Sequence, residues 1–388
     1  YSTGRLGDVQ ATVLEGLVAP DGNAEFVPVL ATEVPTLENG GIVLSEDGTR
    51  MTVTYTLREG VRWSDGEPFT SEDVAFTWEA VRDPEFLAES KGGAEYIDSI
   101  ATPDPLTVVI EYNTVAPDFA STLFTFGILP KHALEGEDLN TSWFNERPLG
   151  TGPFMVTEYL PGQYVQLGRN PYYWGVGEDG EPLPYLDGLV FKVLPDTNTL
   201  VTQLRSGEID MAYNVPYAQV PTLENDPSKT IIRNTTLSWQ HLSMNLESGA
   251  LGDVNVRRAI AHAINKEAIA RALGGFPTPI DTVVVPIFAF SSTEVPTYPH
   301  DPEEAARLLE EAGYTLGEDG VRVGPDGERL SFEFMTQAGR SEYELAQQII
   351  MANLAEVGIE VQADNRSGPA LTDAMNASEY DLWYSGWI

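Results

Sequence analysis

Between Met51 and Arg82 the hydrophobic period of the chain switches from two to three-and-a-half. Met51, Val53, Tyr55 and Leu57 alternate with threonines, which predicts a strand with one apolar face and one hydroxyl face. Gly60 breaks it. Val61 to Trp63 reads as the start of a return strand, and Ser64-Asp65-Gly66 with Pro68 supplies the next turn. Thr70 and Asp73 then stand as a capping box before a helix that places Val74, Trp78 and Val81 on one face.

The same reading extends along the chain. Leu6, Val9, Val13 and Leu17 have helical spacing, and Leu106 to Tyr112 is a strand. A short strand is expected over Trp239 to Asn245, after which Asp253 and Asn265 cap two helices, the second ending at Gly274. Asp301-Pro302-Glu303-Glu304 opens a helix with a cap, a proline at its first position and acids in its first turn, and Gly313 closes it. Asp319-Gly320 and Asp326-Gly327 are hairpin turns without the spacing of a calcium loop. Ser341 to Val357 is expected to be an amphipathic helix through Leu345, Ile349 and Leu354. Gly358 ends it, a strand begins at Ile359-Glu360-Val361, and another runs from Tyr380-Asp381-Leu382 into Gly386-Trp387-Ile388. A chain of 388 residues is long enough for two or three domains with substantial cores.

Charge narrows the partners. Twenty-two basic against 59 acidic residues give a net charge of −37, a field that repels nucleic acid and anionic membranes. The sequence holds no cysteine, which removes disulfides, zinc–thiolate sites and cysteine nucleophiles. No apolar run is long enough to span a bilayer. His132, His241, His262 and His300 lie far apart, none in a metalloprotease spacing, and no G-x-S-x-G elbow occurs. No metal or cofactor is expected. Among 59 carboxylates a glycosidase-like pair is open to any reading, so a secreted hydrolase with an acidic pair stays as the alternative from another class.

Several stretches are more particular than folding requires. Leu57-Arg58-x-Gly60-Val61, Trp63-x-Asp65-Gly66, Glu72-Asp73-Val74, Gly150-Thr151-Gly152-Pro153-Phe154, Arg169-Asn170-Pro171-Tyr172-Tyr173-Trp174, Ser206-Gly207-Glu208-Ile209-Asp210, Asp253-Val254-x-Val256-Arg257 and Asp301-Pro302 through Gly313-Tyr314 follow one another in a fixed order. Leu14-Glu15-Gly16-Leu17-Val18 precedes them. This series closely resembles the family 5 extracellular solute-binding proteins, the dipeptide- and oligopeptide-binding receptors of bacterial ABC importers. Departures are Thr32, where glutamate is usual, and Asn255, where arginine is usual.

The resemblance implies a two-lobed α/β fold of the periplasmic-binding-protein kind (type II), with an extra domain inserted in the first lobe. By analogy the first lobe spans 1–12 and 148–239, the insert 13–147 and the second lobe 240–388, with a C-terminal remainder expected beyond Ile388. It also implies a monomeric extracytoplasmic receptor, with a removed N-terminal leader or anchor. That receptor would capture an oligopeptide between its lobes without chemistry and deliver it to ABC permease subunits. An oligosaccharide is the alternative ligand. Trp387 is the first candidate for a ligand contact, since the family's Gly-Trp pair stands there. Arg340 lies where peptide-binding relatives place a cation for the ligand carboxylate. Trp239, His241 and Asn245 enter the last lobe and either line the cleft or pack the core. Trp383 alternates with Tyr384, so only part of that strand can face a ligand.

Overall fold

The computed structural model describes residues 7–87, 91–121, 124, 127–213, 215–234, 236–288, 291–292 and 294–387. Leu6 and Ile388, used in the sequence reading, lie outside them. The chain divides into two compact units, Tyr1–Pro195 and Asp196–Ile388.

The first unit runs α1 (Gly7–Val13), β1 (Val18–Pro20), β2 (Phe26–Pro28), β3 (Ile42–Leu44), β4 (Met51–Thr56), α2 (Ser71–Arg82), β5 (Ile97–Asp104), β6 (Thr107–Tyr112), α3 (Lys131–Leu134), β7 (Phe154–Leu160), β8 (Tyr164–Arg169) and β9 (Gly188–Lys192). A four-stranded antiparallel sheet in the order β3-β4-β6-β5 carries the larger core. Met51, Val53 and Tyr55 face it, as their alternation predicts, and α2 lays Val74, Trp78 and Val81 over them. The Thr70 amide donates to the Asp73 carboxylate at 2.8 Å. Asp73 also accepts from the Lys131 amide at 2.9 Å, and Thr77 accepts from the Leu129 amide at 2.9 Å. The helix start is thus pinned to the Ile128–His132 turn. A three-stranded sheet, β7-β8-β9, holds a second, smaller core of Val13, Phe154, Val165 and Leu167.

Two local expectations need correction here. The first helix stops at Val13, short of Leu17, because neighbours claim the next backbone groups. Gly152 donates to the Val13 carbonyl at 3.0 Å and Leu17 donates to Phe124 at 2.8 Å. Val61–Trp63 is no return strand. It closes on itself through Trp63 N to Glu67 O at 2.8 Å and Phe69 N to Val61 O at 3.0 Å, leaving a single bridge between Arg62 and Pro68.

The second unit runs α4 (Thr197–Ser206), α5 (Val220–Glu224), β10 (Trp239–Met244), α6 (Val254–Ala263), α7 (Lys266–Ala272), α8 (Pro302–Glu311), β11 (Thr315–Leu316), β12 (Arg322–Val323), β13 (Ser331–Gln337), α9 (Ser341–Glu356), β14 (Glu360–Arg366), α10 (Gly368–Asn376) and β15 (Leu382–Trp387). The caps read from sequence are in place. Asp253 accepts from Asn255 at 2.8 Å, Asn265 from Ala268 at 2.8 Å and Asp301 from Glu304 at 2.9 Å.

Its main sheet has the order β10-β15-β13-β14, with β13 parallel to both β14 and β15, and β10 antiparallel to β15. The chain leaves β13 through α9 to β14 on one side, then returns through α10 to β15 on the other. The two crossover helices therefore cover opposite faces. Helices α6, α8 and α9 close the face that carries Phe332, Phe334, Leu382 and Tyr384. Leu371 and Ala374 of α10 pack on Met335 and Trp383 of the opposite face. Helix α9 is amphipathic, but the buried stripe is Tyr343, Ala346, Gln347, Ile350 and Leu354, and Leu345 is 37% exposed. Gln347 belongs inside because its amide donates to the Phe334 carbonyl at 2.7 Å.

Candidate functional site

In an open sheet with parallel strands, ligands bind outside the carboxyl ends of the strands, where the direction of winding reverses. In the second unit that point lies between β13 and β15. The loop after β13 ends in Arg340, and β15 ends in Trp387. Strand β10 runs antiparallel and brings its first residue to the same end, with Trp239 directly opposite Trp387 and His241 opposite Ser385.

Four of the six residues singled out from sequence meet there on one face of the sheet. The His241 ring centroid lies 4.4 Å from that of Trp239, 6.0 Å from Trp383 and 6.0 Å from Trp387. The period of two requires this, since cross-strand partners share a face. Trp383 is buried beneath α10, whereas Trp387 is 53% exposed. Tyr384 points to the other face, where its hydroxyl donates to Gln240 at 2.6 Å.

Two polar atoms in this cluster have no hydrogen-bond partner among the described residues, Nδ1 of His241 and Nε1 of Trp383, and both are shut off from solvent. Leaving a buried polar group unpaired costs about 1–3 kcal/mol. Burial also lowers the pKa of His241, which keeps the imidazole neutral around neutral pH, with one nitrogen a donor and the other an acceptor.

Arg340 occupies the residue before α9. Its guanidinium lies 4.2 Å over the Tyr343 ring and forms no ion pair among the described residues. It is a cation held by an aromatic face and exposed at the carboxyl end of β13. Asn245 is placed differently. Its amide donates to the carbonyls of Ser378 at 3.1 Å and Tyr380 at 3.0 Å, and its carbonyl oxygen accepts from Glu247 at 3.1 Å. It fixes the turn that feeds β15 and so positions the tryptophans rather than joining them.

The sequence reading did not single out Gln337 and Arg366, which end β13 and β14 opposite one another in register. Arg366 is held by Asp364 at 2.7 Å. Their signal was available only as the last residues of two parallel strands, and strand order is not written in a single strand. Among the described residues no group of three or more His, Asp or Glu side chains is gathered to hold a metal ion, and no helix is long and apolar enough to cross a membrane.

Comparison with known proteins agrees with this architecture. A Brucella ovis protein, provisionally named an ABC transporter peptide-binding protein, is 34% identical over 265 residues, covering 67% of this chain. The chain spans about half, 49%, of that relative's length. The oligopeptide-binding protein AppA of Bacillus subtilis, solved with a nonapeptide, superposes with a TM-score of 0.81 at 26% identity, over 100% of this chain and 75% of AppA. NikZ of Campylobacter jejuni, solved with Ni(L-His), gives a TM-score of 0.82 at 28% identity over 97% of this chain and 72% of NikZ. The fold is that of the type II periplasmic binding proteins. The family model for the bacterial extracellular solute-binding proteins, family 5, matches residues 25–388, and the chain belongs to that family.

Proposed function

We propose that this chain is the capturing part of an extracytoplasmic receptor. It takes an oligopeptide-like solute and passes it, chemically unaltered, to the permease of an ABC importer. The observation that carries this reading is the aromatic group Trp239, His241 and Trp387 at the carboxyl end of the second unit's sheet. Indole faces suit the flat amide planes and side chains of a peptide. Arg340 supplies a cation for a carboxylate. The lobe bounds 1–12 with 148–239, 13–147 and 240–388 belong to the same reading. AppA was solved with a nonapeptide, and the Brucella relative is named as a peptide-binding protein.

A metal chelate is the second reading. It is favoured by the neutral His241 and by the nickel–histidine complex of NikZ.

Thermal melting against short peptides, oligosaccharides and nickel–histidine separates these ligands, since a ligand at about 100 times its Kd adds about 2.7 kcal/mol of stability. We expect stabilisation by peptides, and truncation of the anchor in Trp387→Ala to weaken binding by about 2 kcal/mol, roughly thirtyfold. No shift with any peptide, or recovery of cleaved peptide, would remove the proposal.

A further inference from the structure

Helix α6 buries Val256, Ala259, Ile260 and Ala263 in the core of the second unit. The adjoining residues Val254, Arg257, Arg258 and Ala261 recur at i, i+3, i+4 and i+7, so they share a second face of the same helix. With Met244 at the end of β10 and with Tyr298 they line a depression of about 400 Å³, a volume in the range of small-molecule sites. It stands apart from the tryptophan group. Met244 ends the strand that Trp239 begins, about 16 Å away, and its side chain packs on the opposite face of the sheet, in the core that holds Leu382 and Tyr384.

The walls are tied down. Tyr298 meets the edge of the His262 ring at 5.5 Å, and His262 donates its Nδ1–H to the Pro299 carbonyl at 2.9 Å. His300 likewise donates to the Ala263 carbonyl at 3.0 Å, and the Asp301 amide donates to the His262 carbonyl at 2.8 Å. The Tyr298 segment is therefore fastened to the end of α6. Arg257 donates through Nη1 to the carbonyls of Leu251 at 2.7 Å and Gly252 at 2.9 Å. Arg258 is exposed and has no hydrogen bond or ion pair among the described residues. No carboxylate lines the depression, and Asp253, the acid nearest in sequence, is occupied as the helix cap. This runs against the composition of the chain. A depression in the first unit, between α2 and the turn after α3, is lined by Glu79, Asp83, Glu85, Glu137 and Asp138 and by no cation.

We infer that this depression is a second ligand site, for a small carboxylate carrying an apolar body the size of an aromatic ring. The Arg258 guanidinium, with Arg257 beside it, takes the carboxylate, for which its planar fork of donors is suited. Tyr298, Val254, Ala261 and Met244 cover the body. Both halves are needed. A bare anion leaves the apolar walls wet, and a neutral ring leaves the cations without a partner. The net charge of −37 repels anions at long range, so the site selects by contact and favours ligands that also bury apolar surface. An acidic macromolecule fits worse, because its remaining charges would meet the same repulsion and the space holds only a ring and a short chain.

The test is a titration of the whole chain with phenylacetate, followed by NMR of protein isotope-labelled at the methyl groups of its seven methionines. The Met244 resonance is assigned by its loss in Met244→Leu. We expect that resonance to shift saturably with a Kd of about 1 mM or tighter. Acetate and phenylethanol should each bind about tenfold more weakly or worse, and so should phenylacetate to Arg258→Gln, a change at an exposed position. A Met244 resonance unmoved at tenfold the expected Kd overturns the proposal. So does acetate binding as tightly as phenylacetate, which would mean an adventitious ion only, and so does phenylethanol binding as tightly, or a shift undiminished in Arg258→Gln. Met244 reports from the far end and the other face of the sheet, so a probe held at Trp387 does not produce the expected result, and the outcome is independent of the solute-binding reading.

Discussion

Single residues in this protein are decided by what their polar atoms can reach. His241 shows it best. Its place where the chain enters the last lobe left lining the cleft and packing the core both open, and β10 and β15 pair in a register that sets it among three tryptophans. Because burial lowers its pKa, the imidazole is uncharged above its ordinary value and gains a proton only in acid. If the neutral ring accepts a hydrogen bond from the ligand, affinity should be level from about pH 8 to 6.5 and fall below that. Titration calorimetry over this range checks it, with His241→Phe expected to remove the pH dependence. An affinity that rises in acid would mean the protonated ring binds. Gly150 is decided by space. Its absent side chain lets the Val13 carbonyl approach, and a rigid backbone oxygen cannot yield to a Cβ at 1.7 Å. Gly150→Ala should lower the unfolding free energy by about 3 kcal/mol or more, seen as an early urea transition. The sequence showed that a glycine-rich run stood there, but the partner 137 residues away in the chain is a product of the fold.

At the scale of elements, whatever depends on near neighbours in sequence was legible, and whatever depends on a distant partner was not. Caps are local: Asp253, Asn265 and Asp301 each accept from an amide two or three residues on, and each was read from residue type alone. The orientation of α9 is not local. Its aliphatic residues suggested a stripe through Leu345, yet the helix rotates to bury Gln347, whose amide meets a carbonyl on β13. A polar residue satisfied by the sheet beneath it defeats a pattern argument built on hydrophobicity. Backbone competition likewise shortened α1 and kept Val61–Trp63 out of a sheet. The cap at Asp301 permits a quantitative check. Asp301→Ala leaves the Glu304 amide without its side-chain acceptor and removes a negative charge from a helix N-terminus. It should cost about 1 kcal/mol, measured as a shift in the urea midpoint without a change in slope. A neutral substitution would mean the Pro302 start alone fixes α8.

For the whole molecule the controlling quantity is charge. The candidate site was legible as tryptophans near the end of the sequence, but its place at the reversal of winding required strand order, which only the assembled sheet supplies. Charge needs no such assembly, because 59 acidic and 22 basic residues leave −37 on any fold of this chain. Most ion pairs among the described residues have exposed or half-exposed partners, such as Arg50 with Asp98 at 62% and 44% and Arg169 with Asp187 at 45% and 102%. Pairs of that kind contribute about 0–1 kcal/mol. With too few cations to go round, most carboxylates face other carboxylates at a distance, and their repulsion opposes compaction. Salt acts on the two effects with opposite sign: it weakens the exposed pairs and it weakens the repulsion. The repulsion involves more charges over longer distances, so it loses more when the screening length falls from about 30 Å at 0.01 M to about 3 Å at 1 M. The melting temperature should therefore rise by several degrees between low and high sodium chloride, in contrast to a protein whose charges are balanced. The same field draws cations toward the surface, so association with a positively charged peptide should slow over that interval while a neutral peptide's rate stays nearly constant. Stopped-flow tryptophan fluorescence and scanning calorimetry on one set of buffers measure both. A melting temperature that falls with salt would assign the acidity to stabilising pairs instead of to repulsion.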